Sequence, residues 1–160
     1  MSGRTIRVDL SRQTLTLLEG SHDVASYRIS TAAAGAGERE GSLQTPRGLH
    51  EIREKVGAGE PEGAVFKARR ATGELCTPEC LRAEPDRDWI LTRILWLGGL
   101  EPGRNLGGAV DTQARHVYIH GTPHHAALGS PASHGCIRMS NTDVLDLFDR
   151  VEPGDRVQIQ

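Results

Sequence analysis

Ile6-Arg7-Val8-Asp9-Leu10-Ser11-Arg12-Gln13-Thr14-Leu15-Thr16-Leu17-Leu18 decides the fold class. Apolar and polar residues alternate over 6–10 and again over 14–18. That is the period of a strand with one face buried. Ser11-Arg12-Gln13 between them reads as a turn, so the two runs form a hairpin. Outward from it, Val24–Ser30 reads as a third strand and Leu49–Arg53 as a fourth. Trp89–Leu97 is the most apolar stretch. At nine residues, with β-branched and aromatic side chains, it fits a buried strand better than a helix. His116–His120 is a strand ending at a histidine, and Arg156–Ile159 closes the chain as another.

One helix stands out. In Ser140–Val151, Ser140 is an N-cap and Asp143 lies in the first turn, where negative charge is favoured. Val144, Leu147, Phe148 and Val151 form one apolar stripe at helical spacing. Two segments lack such patterns. Residues 33–48 read as a long loop ending in Thr45-Pro46-Arg47-Gly48. Residues 57–88, rich in Gly and Pro, read as a loop excursion from the core rather than a second domain.

The 160 residues suit one domain with one core. Net charge is -2, and no run of Lys or Arg forms a basic tail, which argues against nucleic acid. The basic spot Arg69-Arg70 reads as a solvated face or a small-anion contact. No window approaches the ~18 apolar residues of a membrane span. The start, Met1-Ser2-Gly3-Arg4-Thr5, lacks the apolar core of an export signal. The expected location is therefore cytoplasmic, or periplasmic if a signal has been removed. Of three cysteines, Cys76 and Cys80 can pair or stay reduced, and Cys136 is left over.

Cys136 is the candidate nucleophile. A thiol is weak until it becomes a thiolate, and an imidazole can take its proton. His120 lies sixteen positions upstream at a strand end. Gly135 removes a side chain beside the sulfur, and backbone N–H groups around Gly135 and Cys136 suit a developing oxyanion. A zinc site competes on paper, because His116, His120, His124, His125 and His134 cluster near Cys136. However, His124-His125 sit in a Pro/Gly loop without helical spacing. Cys76 and Cys80 supply only two ligands. No metal and no cofactor are expected.

His120-Gly121-Thr122 followed by Ser133-His134-Gly135-Cys136-Ile137-Arg138-Met139 resembles the signature of the L,D-transpeptidase catalytic domain, the YkuD-like family. Thr45-Pro46-Arg47-Gly48, the opening strand pair and the closing Pro153–Ile159 run are similar too. The resemblance implies a mainly β fold: an L,D-transpeptidase-type β-sandwich of mixed sheets with one or two short helices, one of them after the cysteine. It implies a single catalytic domain over 1–160, with 57–88 inserted. Cys136 would attack the carbonyl between diaminopimelate and D-Ala in a peptidoglycan stem peptide. His120 would be the base, oriented by the Gly121 carbonyl. Ser133, His134 and Gly135 would shape the oxyanion side. Arg138 would bind a substrate carboxylate or brace its loop. Arg93 and Arg104 are further carboxylate candidates, and Trp96 is core. Acylation by carbapenems is implied as well.

Water or an amine can resolve the acyl-enzyme. Gly73-Glu74, Asp88–Arg93 and Asn105-Leu106-Gly107-Gly108 resemble a signal-less branch of L,D-carboxypeptidases in peptidoglycan recycling. Hydrolysis of tetrapeptide to tripeptide is thus expected first, and cross-linking or D-amino-acid exchange second. A non-catalytic wall-peptide binder is the remaining alternative.

Overall fold

The computed structural model describes residues 3–160. Met1 and Ser2, which open the stretch read for an export signal, lie outside the described residues. The first alternating runs form β1 (Arg4–Asp9) and β2 (Thr14–Glu19), paired antiparallel. Ile6 stands opposite Leu17 and Val8 opposite Leu15. Directly opposed residues share a face, and all four side chains are buried. β3 (His22–Ser30) continues the meander, with a register shift at Leu17/Leu18.

On the far side of β1, β10 (Arg156–Ile159) runs parallel and β4 (Gly48–Val56) pairs antiparallel with β10. Beyond β3 come β9 (Ile137–Met139), β8 (Tyr118–Gly121) and β7 (Leu91–Gly99). β7 then pairs with β4, so the mixed sheet closes on itself. Closure satisfies the backbone groups that open edges would expose. The mainly β fold with two short helices is the one expected.

The ring's interior holds Ile6, Val8, Leu15, Leu17, Leu95, Leu97, Ile119, Ile137 and Met139. Its plug is α2 (Asn141–Arg150), which contributes Val144, Leu147 and Phe148, with Val151 just beyond. Each fully buried aliphatic side chain contributes about 1.5–3 kcal/mol. Ser140 caps α2, its Oγ accepting from Asp143 N–H at 3.1 Å. The helical stripe read from the sequence is the buried face.

β7 starts at Leu91, two residues later than expected. Trp89 is buried outside the strand, and its Nε1–H donates to the Glu84 carbonyl at 3.1 Å. Leu95 and Leu97 face the ring core, whereas Ile94 and Trp96 face a second cluster with Ala64, Phe66 and Tyr118. A strand buried on both faces needs no polar alternation. That is why the stretch is continuously apolar.

Residues 57–88 are not a plain loop. They contain β5 (Ala64–Lys67), β6 (Arg70–Leu75) and α1 (Pro78–Ala83). Val65 pairs with Leu91 and ties this hairpin to β7. β5 is buried on both faces and β6 exposed on both, so neither leaves an alternation to be read. Pro78 also looked like a loop marker, whereas it sits in the first turn of α1 behind the Thr77 cap. β9 escaped for a similar reason, being three residues, all buried. Among the described residues, no helix is long and apolar enough to cross a membrane.

Candidate active site

β8 and β9 lie parallel, with Ile119 opposite Ile137 and His120 opposite Arg138. Ile119 and Ile137 point into the ring core. Alternation therefore sends Tyr118, His120 and Arg138 through the outer face. Cys136, one residue before β9, follows the same alternation and packs against the outer cluster with Tyr118. A three-residue strand thus places the cysteine on the same face as a histidine sixteen positions away.

His120 is buried, and its Nδ1 lies 2.7 Å from the Gly121 carbonyl. A carbonyl only accepts, so Nδ1 carries the proton and Nε2 keeps its lone pair. Burial depresses the imidazole from 6.5 to about 4, against the pull of the Gly121 bond. Gly121 is required by space. A Cβ there would lie 2.7 Å from the Leu91 carbonyl and collide with Asn141. Thr92, at a positive φ of 76°, donates from Oγ1 to Asn141 Oδ1 at 2.7 Å and so completes this knot. It falls in the β-bulge between Leu91 and Ile94; bulges of this kind are common beside active sites.

Cys136 is half-buried. Its Sγ accepts from Tyr118 N–H at 3.4 Å, and its thiol donates to the His116 carbonyl at 3.5 Å. Burial pushes the thiol up to about 11; the Tyr118 amide opposes this, and the Asp88 charge adds to it. Burial thus disfavours the charged form of both side chains. The turn before the cysteine is tightly braced. Thr45 Oγ1 donates to the Gly135 carbonyl at 2.9 Å, and Gly135 has a positive φ of 128°. Ser133 Oγ donates to the Cys136 carbonyl at 2.6 Å and accepts from Gly135 N–H at 3.2 Å. An oxyanion would have to replace that last bond to use the Gly135 donor.

A cleft of about 520 Å³ opens above the sulfur, lined in part by Arg69, Asp88, Arg115, Tyr118, His134 and Cys136. Arg138 also lines it, ion-paired to Asp88 at 3.2 Å. Of the expected site residues, Cys136, Ser133, His134 and Arg138 line the cleft; His120 is buried opposite Arg138, bonded to Gly121, and Gly135 precedes the cysteine. Arg93 and Arg104 lie elsewhere. Arg93 lies in the same bulge, donates to the carbonyls of Glu60 and Thr92, and lies over the Phe148 ring. Arg104 pairs with Glu101 on an exposed loop. The sequence singled out Arg69 as a solvated face or small-anion contact and Asp88 as part of a family-like run, without placing either at this cleft. Arg115 and Tyr118 were not singled out; Tyr118 carried one signal, its two-residue offset from His120 on one strand. Trp96 is half-buried against the outer cluster, roofed by Arg69 at 4.6 Å.

Among the described residues, no three His, Cys, Asp or Glu side chains converge as metal ligands would. Cys76 and Cys80 are unbonded thiols packed against Val65, Trp89 and Leu91.

The fold has counterparts among known proteins. The profile of the YkuD family, the L,D-transpeptidase catalytic domain, matches residues 3–159. The chain belongs to that family. It is similar to the Bacillus subtilis protein YkuD, at 43% identity over 61 residues, covering 35% of this chain and 37% of that protein. Among solved structures, it resembles the L,D-transpeptidase from Mycobacterium smegmatis (TM-score 0.58, 19% identity, 99% of this chain and 58% of that one). It also resembles L,D-transpeptidase 3 from Mycobacterium tuberculosis, whose structure holds a faropenem-derived adduct (TM-score 0.61, 17% identity, 99% and 60%). The chain thus spans about three fifths of these structural relatives, and its match spans well under half of the curated one.

Proposed function

We propose that the protein is a cysteine acyl-transfer enzyme acting on peptidoglycan stem peptides at the diaminopimelate–D-Ala bond. The observation that carries this is the tie from His120 Nδ1 to the Gly121 carbonyl, which leaves Nε2 basic on the face where Cys136 emerges. In the first step the Cys136 sulfur attacks the carbonyl carbon while its proton passes to His120 Nε2. The C–N bond then breaks, and His120 returns the proton to the departing D-Ala amine. A thioester remains. Water, deprotonated by His120, releases the shortened peptide; an amine acceptor yields a new amide instead.

Hydrolysis to the tripeptide is the favoured outcome. The runs Gly73-Glu74, Asp88–Arg93 and Asn105–Gly108, which resemble the carboxypeptidase branch, support this reading, and with it a recycling role inside the cell on soluble fragments. The names of the structural relatives favour transpeptidation as the second reading.

The test is incubation with disaccharide tetrapeptide and with intact wall, each with and without a D-amino acid, read by mass spectrometry. Loss of D-Ala alone supports the carboxypeptidase. Exchanged or dimeric products support the transpeptidase. Tight binding without turnover would instead indicate a wall-peptide binder. A carbapenem should acylate Cys136, as the imipenem complex of the relative LdtMt1 suggests; an unmodified protein after incubation contradicts an open acylation site.

A further inference from the structure

The cleft holds three arginines, and they differ in what they have left to offer. Arg138 is neutralised by Asp88 and also reaches the Ala132 carbonyl. Arg115 donates to the oxygens of Gly37, Glu38, Ser42 and Gln44, bracing the loop that backs Gly135. Arg69 has no such neutraliser. Its Nη1–H donates to Tyr118 Oη at 3.0 Å, and its guanidinium lies 4.6 Å from the Trp96 ring centre. Among the described residues, no carboxylate stands within ion-pair distance of it. Tyrosine and tryptophan fix its orientation without cancelling its charge.

The backbone under Arg69 is also unusual. β5 and β6 are joined through Ala68 and Arg69, with Lys67 paired to Arg70. Such two-residue turns need left-handed conformations and favour Asn-Gly. Here Ala68 has φ 49° and Arg69 φ 64°, and neither is glycine. Left-handed non-glycine residues cluster at ligand clamps. The turn trades conformational ease for an arginine aimed at the cleft. Lys67 and Arg70 flank it and make the tip locally positive.

We propose that Arg69 is the receptor for the terminal carboxylate of the residue being expelled. This rests on the acyl-transfer reading above and adds the feature that restricts cleavage to the last bond. In a peptide ending in D-Ala, that carboxylate lies three bonds beyond the attacked carbonyl, on the order of 4 Å. Arg69 and Cys136 border the same cleft and are bridged by one residue, Tyr118, whose hydroxyl meets the arginine and whose amide meets the sulfur. Guanidinium recognises carboxylate as a planar fork. A peptide continuing past D-Ala would present a neutral amide there and lose this contact. Arg69 is thus a specificity residue, not a participant in proton transfer.

The test uses the full chain carrying Cys136→Ala, which binds without turning over. It is titrated by calorimetry with a stem tetrapeptide ending in D-Ala, as the free acid and as the C-terminal carboxamide. The acid should bind roughly tenfold to a hundredfold more tightly, the range of a charged hydrogen-bonded contact. Adding Arg69→Ala or Arg69→Gln should bring that ratio close to one, and Arg69→Lys should leave an intermediate value. An arginine that only holds the hairpin would weaken both peptides alike. A ratio that survives Arg69→Ala therefore overturns the proposal, and so does binding of neither peptide. Turnover by the protein with Cys136 intact separates the two ideas. Acylation with an acid-to-amide preference indifferent to Arg69 removes the carboxylate receptor and keeps the acyl transfer, whereas no acylation at all removes the acyl transfer itself.

Discussion

The two walls of the cleft are built on opposite principles. One wall is β8–β9, whose inward side chains are locked in the ring core and whose outward ones are His120, Cys136 and Arg138. Its polar atoms are tied at every turn, from Gly121 through Ser133 to Thr45. The other wall is the β5–β6 hairpin and the segment to Asp88. β6 has no buried residue, and its turn is conformationally costly. The difference teaches how labour is divided. On the proposed reading, the bond-making groups sit on the tied wall and the substrate-choosing Arg69 on the hairpin, whose β6 is exposed while β5 packs into the outer cluster.

The strongest test of that division is Cys136→Ala or His120→Ala. Each should reduce acylation by stem peptide or carbapenem by roughly 10³-fold or more, read by intact mass, while the circular dichroism of the β ring persists. Normal acylation in either variant removes the rigid wall's claim to the chemistry.

Next in size is acid. His50 is fully buried between the Gly48 carbonyl and Thr112 Oγ1, and burial depresses it to about 4. The unfolded chain binds that proton near 6.5, so between pH 6.5 and 4 the unfolded state holds more protons. Stability is full above pH 6.5 and falls as pH drops towards 4, by about 3 kcal/mol for this residue. His120 acts in the same direction. Denaturant midpoints that stay constant across this window would contradict neutral buried imidazoles.

Paired substitutions sharpen the contrast between the walls. Gly121→Ala in the rigid wall should cost about 2 kcal/mol, since overpacking against Leu91 and Asn141 has nowhere to relax. Ala68→Gly in the hairpin should instead stabilise by up to about 1 kcal/mol, because it relieves a left-handed alanine. Melting curves of the two variants should shift in opposite directions; shifts of like sign would erase the distinction. The smallest effect is electrostatic. The Asp88 carboxylate raises the Cys136 thiol, so Asp88→Asn should move the pH profile of iodoacetamide alkylation at Cys136 to lower pH. A profile that is unmoved, or moved upward, shows that the hairpin wall does not reach the sulfur.

What was legible in the sequence follows the same line. β1, β2, β10 and α2 are half-exposed, so burial left a period of two or a helical stripe. β9 and β5 are buried on both faces, and neither leaves a pattern. Cys136 and His120 were candidates from the sequence because each is marked by its neighbours, Gly135 and a strand end, and the strand register puts both on the outer face. Arg69 stood in view as a small-anion contact or a solvated face, but only strand register shows which cleft it borders. Arg93 and Arg104 were misplaced because charge alone does not reveal direction. The bulge at Thr92 breaks the alternation that would have aimed Arg93.

The bond from His120 to a backbone carbonyl has a consequence for how this site can vary. The partner oxygen belongs to the main chain at Gly121, so no side-chain replacement removes it. Only a shift of the strand itself would release the ring. The orientation of the imidazole is therefore written into the backbone rather than into an exchangeable carboxylate.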